Sequence, residues 1–508
     1  MSSINFHKLI FNLFFSTFFF ILLFNNQVFP QAKLKSKINN GLEALYNFNF
    51  KSADKTFDEI IKNYPENPAG YQCKSISYLW FFLDSKNDLD FENFFAYTDT
   101  AINKAESILD KDTTDEFTLY ILGSVYANRT FAFTREENYF DAVFAASKFY
   151  SYFNQLLDED SLYYDAYMGK GLYNFAISQA PQTWSWAIRI SGMTGDKQVG
   201  LNYLETAAKK GEISRVDAQF YLSQIYSEFL LKYSDAQKIL NNLTWRFPNN
   251  LLFRYSLANL YLKRFDLYNA TNKFKSIYTS KDTNFLQLKN YAGLSLGDIS
   301  YSKGEYKTSR IYYQNFLEHS IDENYIGITA LKLGLSYLFQ GDSISALLFF
   351  DKTSEGNNDL DEDAFARTRG KEYLNHLPSK SELKLILIKN MVDVGKFNAA
   401  IDSLQDFISL SVSDTLRAEA FLYLSEAFFN LNRYKKSLEY ALSVFNFDDC
   451  ELWVKPFACY YAARSSKELK NFIDAKLFID YANNFKDYFF ENKLKDKLNF
   501  LSFMLKQK

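Results

Sequence analysis

A small residue followed by apolar or aromatic residues four and seven positions later recurs along this chain. One copy is Ala53, Phe57 and Ile60, and in the clearest adjacent pair of copies Ala236 and Ala270 are 34 residues apart. Positions i, i+4 and i+7 lie on one face of a helix, and a small residue there lets a neighbouring helix approach closely. The pattern therefore predicts stacked pairs of helices, because one pair alone leaves that face uncovered.

Composition agrees with a helical fold. The chain has 508 residues, of which 47% are hydrophobic, with only 7 Pro and 18 Gly to break helices. Its 57 Lys+Arg and 60 Asp+Glu give a net charge of -3, which argues against a nucleic-acid partner. The remaining copies of the pattern contain Gly297, Gly304 and Tyr313; Gly334, Ala346 and Phe350; Ala400, Leu404 and Phe407; Ser425, Phe428 and Ala441; and Ala475 with Ile479.

These copies resemble the tetratricopeptide-repeat (TPR) superfamily over most of residues 38–490, with Gly41 at the small position of a first helix. The resemblance implies an all-α fold, a right-handed α-solenoid of TPR-like helix pairs whose concave surface binds partners. We expect a signal peptide at residues 1–32, an irregular helical array at 33–213 and a second array at 214–508.

The middle of the chain departs from the repeat pattern, with longer helices between Glu116 and Gly211. The block Gly169–Gly211 resembles a eukaryotic TPR family that includes an inclusion-body clearance protein, whose members are linked to mitochondrial outer membranes and lipid droplets. The block follows this order: a Gly-rich helix, Pro181, an aromatic helix, Gly192, Gly195-Asp196 and Gly200-Leu201.

The N-terminus has the layout of a secretory signal peptide. An apolar stretch from Leu9 to Phe24 follows Lys8 and precedes a polar run, with a cleavage position after Ala32. A retained membrane anchor is the alternative, but the stretch is shorter than the ~20 residues that span a bilayer. We therefore expect an exported protein of the periplasm or cell envelope, with secretion as a further possibility.

Four residues of the middle block are candidates for partner binding or for structure. Trp184 and Trp186 are two apart and cannot share a helix face, so one of them is available to a partner beside Arg189. Packing between helices is the alternative interpretation. We expect a tight turn from Gly192 to Asp196, with Asp196 capping the helix that follows.

Motifs for catalysis or metal binding fail on inspection. His319 and His376 are isolated at predicted helix ends, so neither activates a nucleophile. The acidic run Asp359–Asp363 alternates carboxylates as a calcium loop does, but Ala364 and Gly370 occupy positions that need Gly and an acid. We interpret this run as a solvated loop between repeats, and expect neither cofactor nor metal.

Three functions follow from this reasoning. The first is an exported, non-catalytic scaffold that binds a protein or peptide in its groove. The second is a structural component of an envelope or secretion assembly, with peripheral membrane association through partners. The third is an enzyme with its site between residues 116 and 211, for which no catalytic residue is identified.

Overall fold

The computed structural model describes residues 32–179 and 194–506, and all regular elements within them are helices. This confirms the predicted all-α fold and its α-solenoid architecture of successive helix pairs. Residues 1–31, most of the predicted signal peptide, lie outside the described residues. Within the two described stretches, no helix has both the length and the hydropathy needed to cross a bilayer.

The chain divides into two compact units. Unit 1 runs to Leu222 and includes Leu243–Asn250, and unit 2 comprises Ser223–Asn242 and the chain from Leu251 onward. The domain limit predicted after residue 213 stays a prediction. The helices of unit 1 are α1 (residues 32–46), α2 (Phe50–Asn63), α3 (Ala69–Ser85), α4 (Asp88–Leu109), α5 (Glu116–Arg135), α6 (Tyr139–Glu159), α7 (Ala166–Ile177) and α8 (Lys197–Lys210).

The next two helices, α9 (Arg215–Glu228) and α10 (Tyr233–Arg246), contribute residues to both units. Short 3-10 turns follow two later helices, at Lys352–Glu355 and Val444–Asn446. The helices of unit 2 are α11 (Leu251–Lys263), α12 (Leu267–Tyr278), α13 (Leu286–Ser302), α14 (Tyr306–His319), α15 (Ile326–Leu338), α16 (Ser343–Asp351), α17 (Asp361–Asn375), α18 (Lys380–Asp393), α19 (Phe397–Ser409), α20 (Asp414–Asn430), α21 (Tyr434–Ser443), α22 (Val454–Glu468), α23 (Phe472–Ala482) and α24 (Glu491–Lys506).

Three helix pairs share one recurring contact. A glycine on the first helix faces an aromatic ring sixteen residues later on the second, so closely that an added Cβ would overlap the ring. At Gly334, for example, a Cβ would lie 2.6 Å from Phe350 Cε1. The small residue is thus required by the ring that it accommodates. The pairs are Gly41 with Phe57, Gly297 with Tyr313, and Gly334 with Phe350.

The turns between paired helices also share one geometry. The residue two positions before the second helix has a positive φ, the left-handed conformation that ends many helices. Glycine occupies some of these positions and larger residues the others, so the turn persists where its usual residue is missing. The residues are Phe48, Lys86, Glu137, Leu231, Phe265, Gly304, Gly341, Gly395, Asn432 and Lys470.

The acidic run Asp359–Asp363 is not the solvated loop that the sequence suggested. Asp359 is exposed, but α17 begins at Asp361 and Asp363 is fully buried. The Asp363 carboxylate accepts hydrogen bonds from the Ile328 amide at 2.8 Å and the Asn357 amide at 3.1 Å. A run of acids is usually solvated, but here the unpaired amides at the start of α15 offer partners for one carboxylate.

Candidate functional site

The first helices of successive pairs in unit 2 enclose a groove of about 530 Å³. Helices α13, α15, α18 and α20 line it, together with α17 and the segment before α22. We name it the first-helix groove. Its polar lining residues are Tyr301, Lys332, Arg369, Tyr373, Ser379, Glu382, Lys389, Asn390, Ser413, Thr415, Glu419, Tyr423, Glu451 and Trp453.

Helical spacing places these side chains on common faces. Arg369 and Tyr373 are four apart on α17, as are Glu419 and Tyr423 on α20. The first helices therefore carry polar residues on the face that lines the groove, while the small and aromatic residues of the repeat lie on the faces that pack.

All three bases in the groove are paired with carboxylates, and Arg369 and Lys332 are the first two. Arg369 bridges Glu451 at 2.7 Å and Glu372 at 2.8 Å, and Lys332 lies 2.8 Å from Asp298. Burial alone would lower the pKa of Arg369, but the Glu451 carboxylate outweighs this effect, so the pKa of Arg369 is raised. These charges are therefore already balanced by the protein.

The third base, Lys389, is held in the same way. It lies 2.5 Å from Asp393 and 3.4 Å from Glu426. Burial alone would lower its pKa, but the two carboxylates raise it, so the lysine is protonated at neutral pH. Its position between α18 and α20 ties these two first helices together.

Two acids of the groove lack such a partner. Glu419 accepts a hydrogen bond from the Tyr423 hydroxyl at 3.1 Å, and Glu382 accepts one from Tyr373 at 2.6 Å. Neither forms an ion pair within the part of the chain that the structure describes. Burial raises the pKa of Glu419 to about 7, the Glu451 carboxylate adds to this rise, and Arg369 opposes it. Because the three bases are already paired, Glu382 and Glu419 are the acids of the groove that have no counter-ion among the described residues.

One hydrogen-bond donor in the groove wall also has no partner within the described stretches. The Trp453 indole nitrogen is a buried atom without an acceptor there, whereas the Asn390 side chain interacts with the Tyr301 hydroxyl and opposes the rise that burial causes in the pKa of Tyr301. An unsatisfied buried donor costs about 1–3 kcal/mol, and proteins rarely leave one without a reason. Together with the acids, Trp453 can recognise a ligand that has both a carbonyl oxygen and a cationic group.

The predicted site residues lie elsewhere. Trp184, Trp186 and Arg189 fall outside the described residues, so their role stays a prediction. Asp196 belongs to unit 1 and is the N-cap of α8, where its carboxylate accepts a hydrogen bond from the Val199 amide at 2.8 Å. The capping prediction is confirmed, and whether Asp196 binds a partner remains untested.

The repeat pattern did not predict the groove residues because it specifies only the packing positions of each helix pair. A signal was nevertheless present. Glu382 and Lys389 are seven apart on α18, and Glu419 and Glu426 are seven apart on α20. Polar residues at this spacing on consecutive first helices mark a face that does not enter the core. No group of three or more potential metal ligands is found within the described stretches.

The middle of the chain matches the sequence model of a known protein family. Residues 164–321 match the family model described as Iml2/Tetratricopeptide repeat protein 39. This segment contains the block Gly169–Gly211, whose resemblance to such a family is thereby confirmed. No match was found among curated protein sequences.

Solved structures similar to this chain are distant from it. A tetratricopeptide repeat protein from Parabacteroides merdae is 12% identical, over 56% of this chain and 98% of its own, with a TM-score of 0.27. The apo form of the quorum sensor NprR from B. thuringiensis is 15% identical, over 82% and 99%, with a TM-score of 0.35. Yeast Tom70 is 10% identical, over 94% and 96%, with a TM-score of 0.28.

The family match and the repeat architecture agree with each other. Residues 164–321 span both the irregular helices and regular pairs such as α13 with α14, in which Gly297 faces Tyr313. The same glycine and aromatic contact recurs at Gly41 and Gly334 outside the matched segment. Residues 164–321 therefore match a tetratricopeptide-repeat family, and helix pairs on both sides of this segment have the same architecture.

Proposed function

We propose that this protein is an exported, non-catalytic scaffold that binds an extended peptide segment of a protein partner in the first-helix groove. The observation that carries the proposal is the buried, unpartnered Trp453 indole donor beside Glu382 and Glu419, two acids without a cationic partner in the described part of the chain. Export rests on the signal-peptide layout of residues 1–32 alone.

The chemistry of the groove specifies the partner segment. A backbone carbonyl oxygen would accept a hydrogen bond from Trp453, and a lysine or arginine side chain would pair with Glu419. Such a ligand satisfies groups that the free protein leaves unsatisfied, so binding gains energy at each of them. An acidic segment would instead add to the carboxylates already present.

A peptide-binding experiment tests this proposal. The chain from Lys33 would be titrated at pH 8 into labelled, capped octapeptides, one peptide at a time, and binding followed by fluorescence anisotropy. The peptides differ only in their central residue, which is lysine, alanine or glutamate. We expect lysine-containing peptides to bind and glutamate-containing peptides not to bind. Glu419→Gln should weaken the lysine-containing peptides by about tenfold, equivalent to ~1.4 kcal/mol.

The matched control is Glu318→Gln, which makes the same chemical change on the exposed end of α14, outside the groove. This variant should bind like the unmodified chain. Equal losses in both variants, or equal affinity for lysine- and glutamate-containing peptides, would rule out recognition by the groove.

The alternative function is a structural role in an envelope or secretion assembly. It is favoured by large apolar side chains exposed on second helices: Ile344 is 78% exposed and Leu348 64% exposed on α16, and Ile473 is 76% exposed on α23. Exposed apolar surface often marks protein contacts. If this role is correct, Ile344→Lys should abolish co-purification of the chain with envelope complexes and leave octapeptide binding unchanged.

A further inference from the structure

Unit 1 contains a second cavity, of about 450 Å³, between α1, α3, α5, α6, α7 and α9. Its walls are mostly hydrophobic, with Leu42, Leu79 and Phe149 among them, and Trp80 also lines it. The volume falls within the ~300–1,000 Å³ typical of small-molecule sites. This cavity is independent of the first-helix groove, whose residues all belong to unit 2.

Asp217 is the single charged side chain among the described residues that line this cavity. The Tyr46 hydroxyl donates a hydrogen bond to its Oδ2 at 2.5 Å. Burial raises the pKa of Asp217 to about 6, and the Tyr46 hydrogen bond opposes that rise. The protein has thus placed a carboxylate in a largely apolar cavity with a neutral hydroxyl rather than a base as its partner.

Within residues 32–179 and 194–506, the titratable groups that face Asp217 are tyrosines. Tyr46 approaches from α1, Tyr120 from α5, and Tyr221 from the next turn of α9. Burial raises the pKa of each of them above the ordinary value, so they stay neutral where Asp217 titrates. Near pH 6 the charge of the cavity therefore depends on Asp217.

We propose that this cavity binds a small molecule with a hydrocarbon body and one protonated amine. The hydrocarbon would replace water against the apolar walls, and the ammonium group would pair with Asp217. The free-energy cost of removing the Asp217 carboxylate from water has already been compensated during folding. The attraction between this carboxylate and a bound cation is therefore gained without that cost. An anionic ligand would meet like charge, and a neutral one would leave the carboxylate without a counter-ion.

Calorimetry with three probes of equal length tests this assignment: n-octylammonium, n-octanol and n-octanoate, each titrated into the chain from Lys33 at pH 8. We expect n-octylammonium to bind at least tenfold more tightly than either of the others. Lowering the pH to 5, about one unit below the pKa of Asp217, should weaken n-octylammonium about tenfold and leave n-octanol unchanged.

Variants separate the carboxylate from the cavity itself. Asp217→Asn should abolish the preference for n-octylammonium and keep n-octanol binding within twofold, which also shows that the variant is folded. Ala146→Phe fills the cavity and should abolish binding of all three probes. Asp110→Asn, an exposed acid of unit 1, should change none of them. Absence of binding, n-octanoate as tight as n-octylammonium, or an unaltered preference in Asp217→Asn would overturn the proposal.

Discussion

Replacing Glu419 by glutamine should make the folded chain more stable at pH 8 and leave its stability unchanged at pH 4. The reason is that burial raises the pKa of Glu419 from 4.5 to about 7, with the Glu451 carboxylate adding to the rise. Above pH 7 the folded state holds a carboxylate without a cationic partner. Glutamine has nearly the same shape, carries no charge, and still accepts the Tyr423 hydroxyl.

The sign follows from proton binding. Between pH 4.5 and 7 the unfolded chain has lost the proton of Glu419 while the folded chain still binds it, so stability falls as the pH rises. A shift from 4.5 to about 7 corresponds to roughly 3 kcal/mol at ~1.4 kcal/mol per unit. Glu419 is partly exposed, and solvent screening reduces this figure, so we expect a gain of about 1–3 kcal/mol.

Urea unfolding followed by circular dichroism, at intervals from pH 4 to 9, measures this effect. The difference between Glu419→Gln and the unmodified chain should grow through the window from pH 4.5 to 7 and then level off. Glu318→Gln, on the exposed surface of α14, should show no such window. A difference that is constant with pH, or a loss of stability at pH 8, would refute the reasoning.

Four further variants test the architecture by urea unfolding. Ala270→Leu should destabilise by about 1–3 kcal/mol because Ala270 is fully buried, and unchanged unfolding would contradict the repeat register. Asp196→Ala removes the helix cap, so it should lower the free energy of unfolding by about 0.5–2 kcal/mol and leave octapeptide binding unchanged. If stability is intact and binding is lost, Asp196 is instead a binding residue. Lys470→Gly should raise the free energy of unfolding by about 0.5–1 kcal/mol, because glycine adopts the positive φ of this position without strain. The control Lys476→Gly, inside α23, should lower it by about 1 kcal/mol. A lower free energy of unfolding in both variants would show that Lys470 is not strained.

The repeat pattern predicted the helix pairs well because it arises from packing contacts between residues that are close in sequence. Ala53, Phe57 and Ile60 are all fully buried, as are Ala270, Phe274 and Ile277, so the residues chosen from spacing alone lie in the core. Each of these contacts lies within a helix pair or between adjacent pairs. Spacing along the chain is sufficient to find them.

The first-helix groove was not predicted because it joins residues that are far apart in sequence. Arg369 and Glu451 are separated by 82 positions, and their ion pair connects α17 to the segment before α22. No spacing rule relates these two residues. The helix face on which each residue lies can be predicted from the sequence, but the identity of its partner depends on how successive helix pairs stack.

The burial of Asp363 illustrates a second reason why sequence reasoning failed. Its partners are backbone amides, which every residue except proline carries, so nothing in the sequence marks them. Unit 1 uses the same arrangement: buried Asp165 accepts from the amides of Ile213 and Ser214 at 2.9 Å, just before α9. In both units a buried aspartate satisfies amides near the start of a distant helix. Such a carboxylate resembles any surface acid in the sequence, and only the stacked helices reveal that it fixes where the next helix begins.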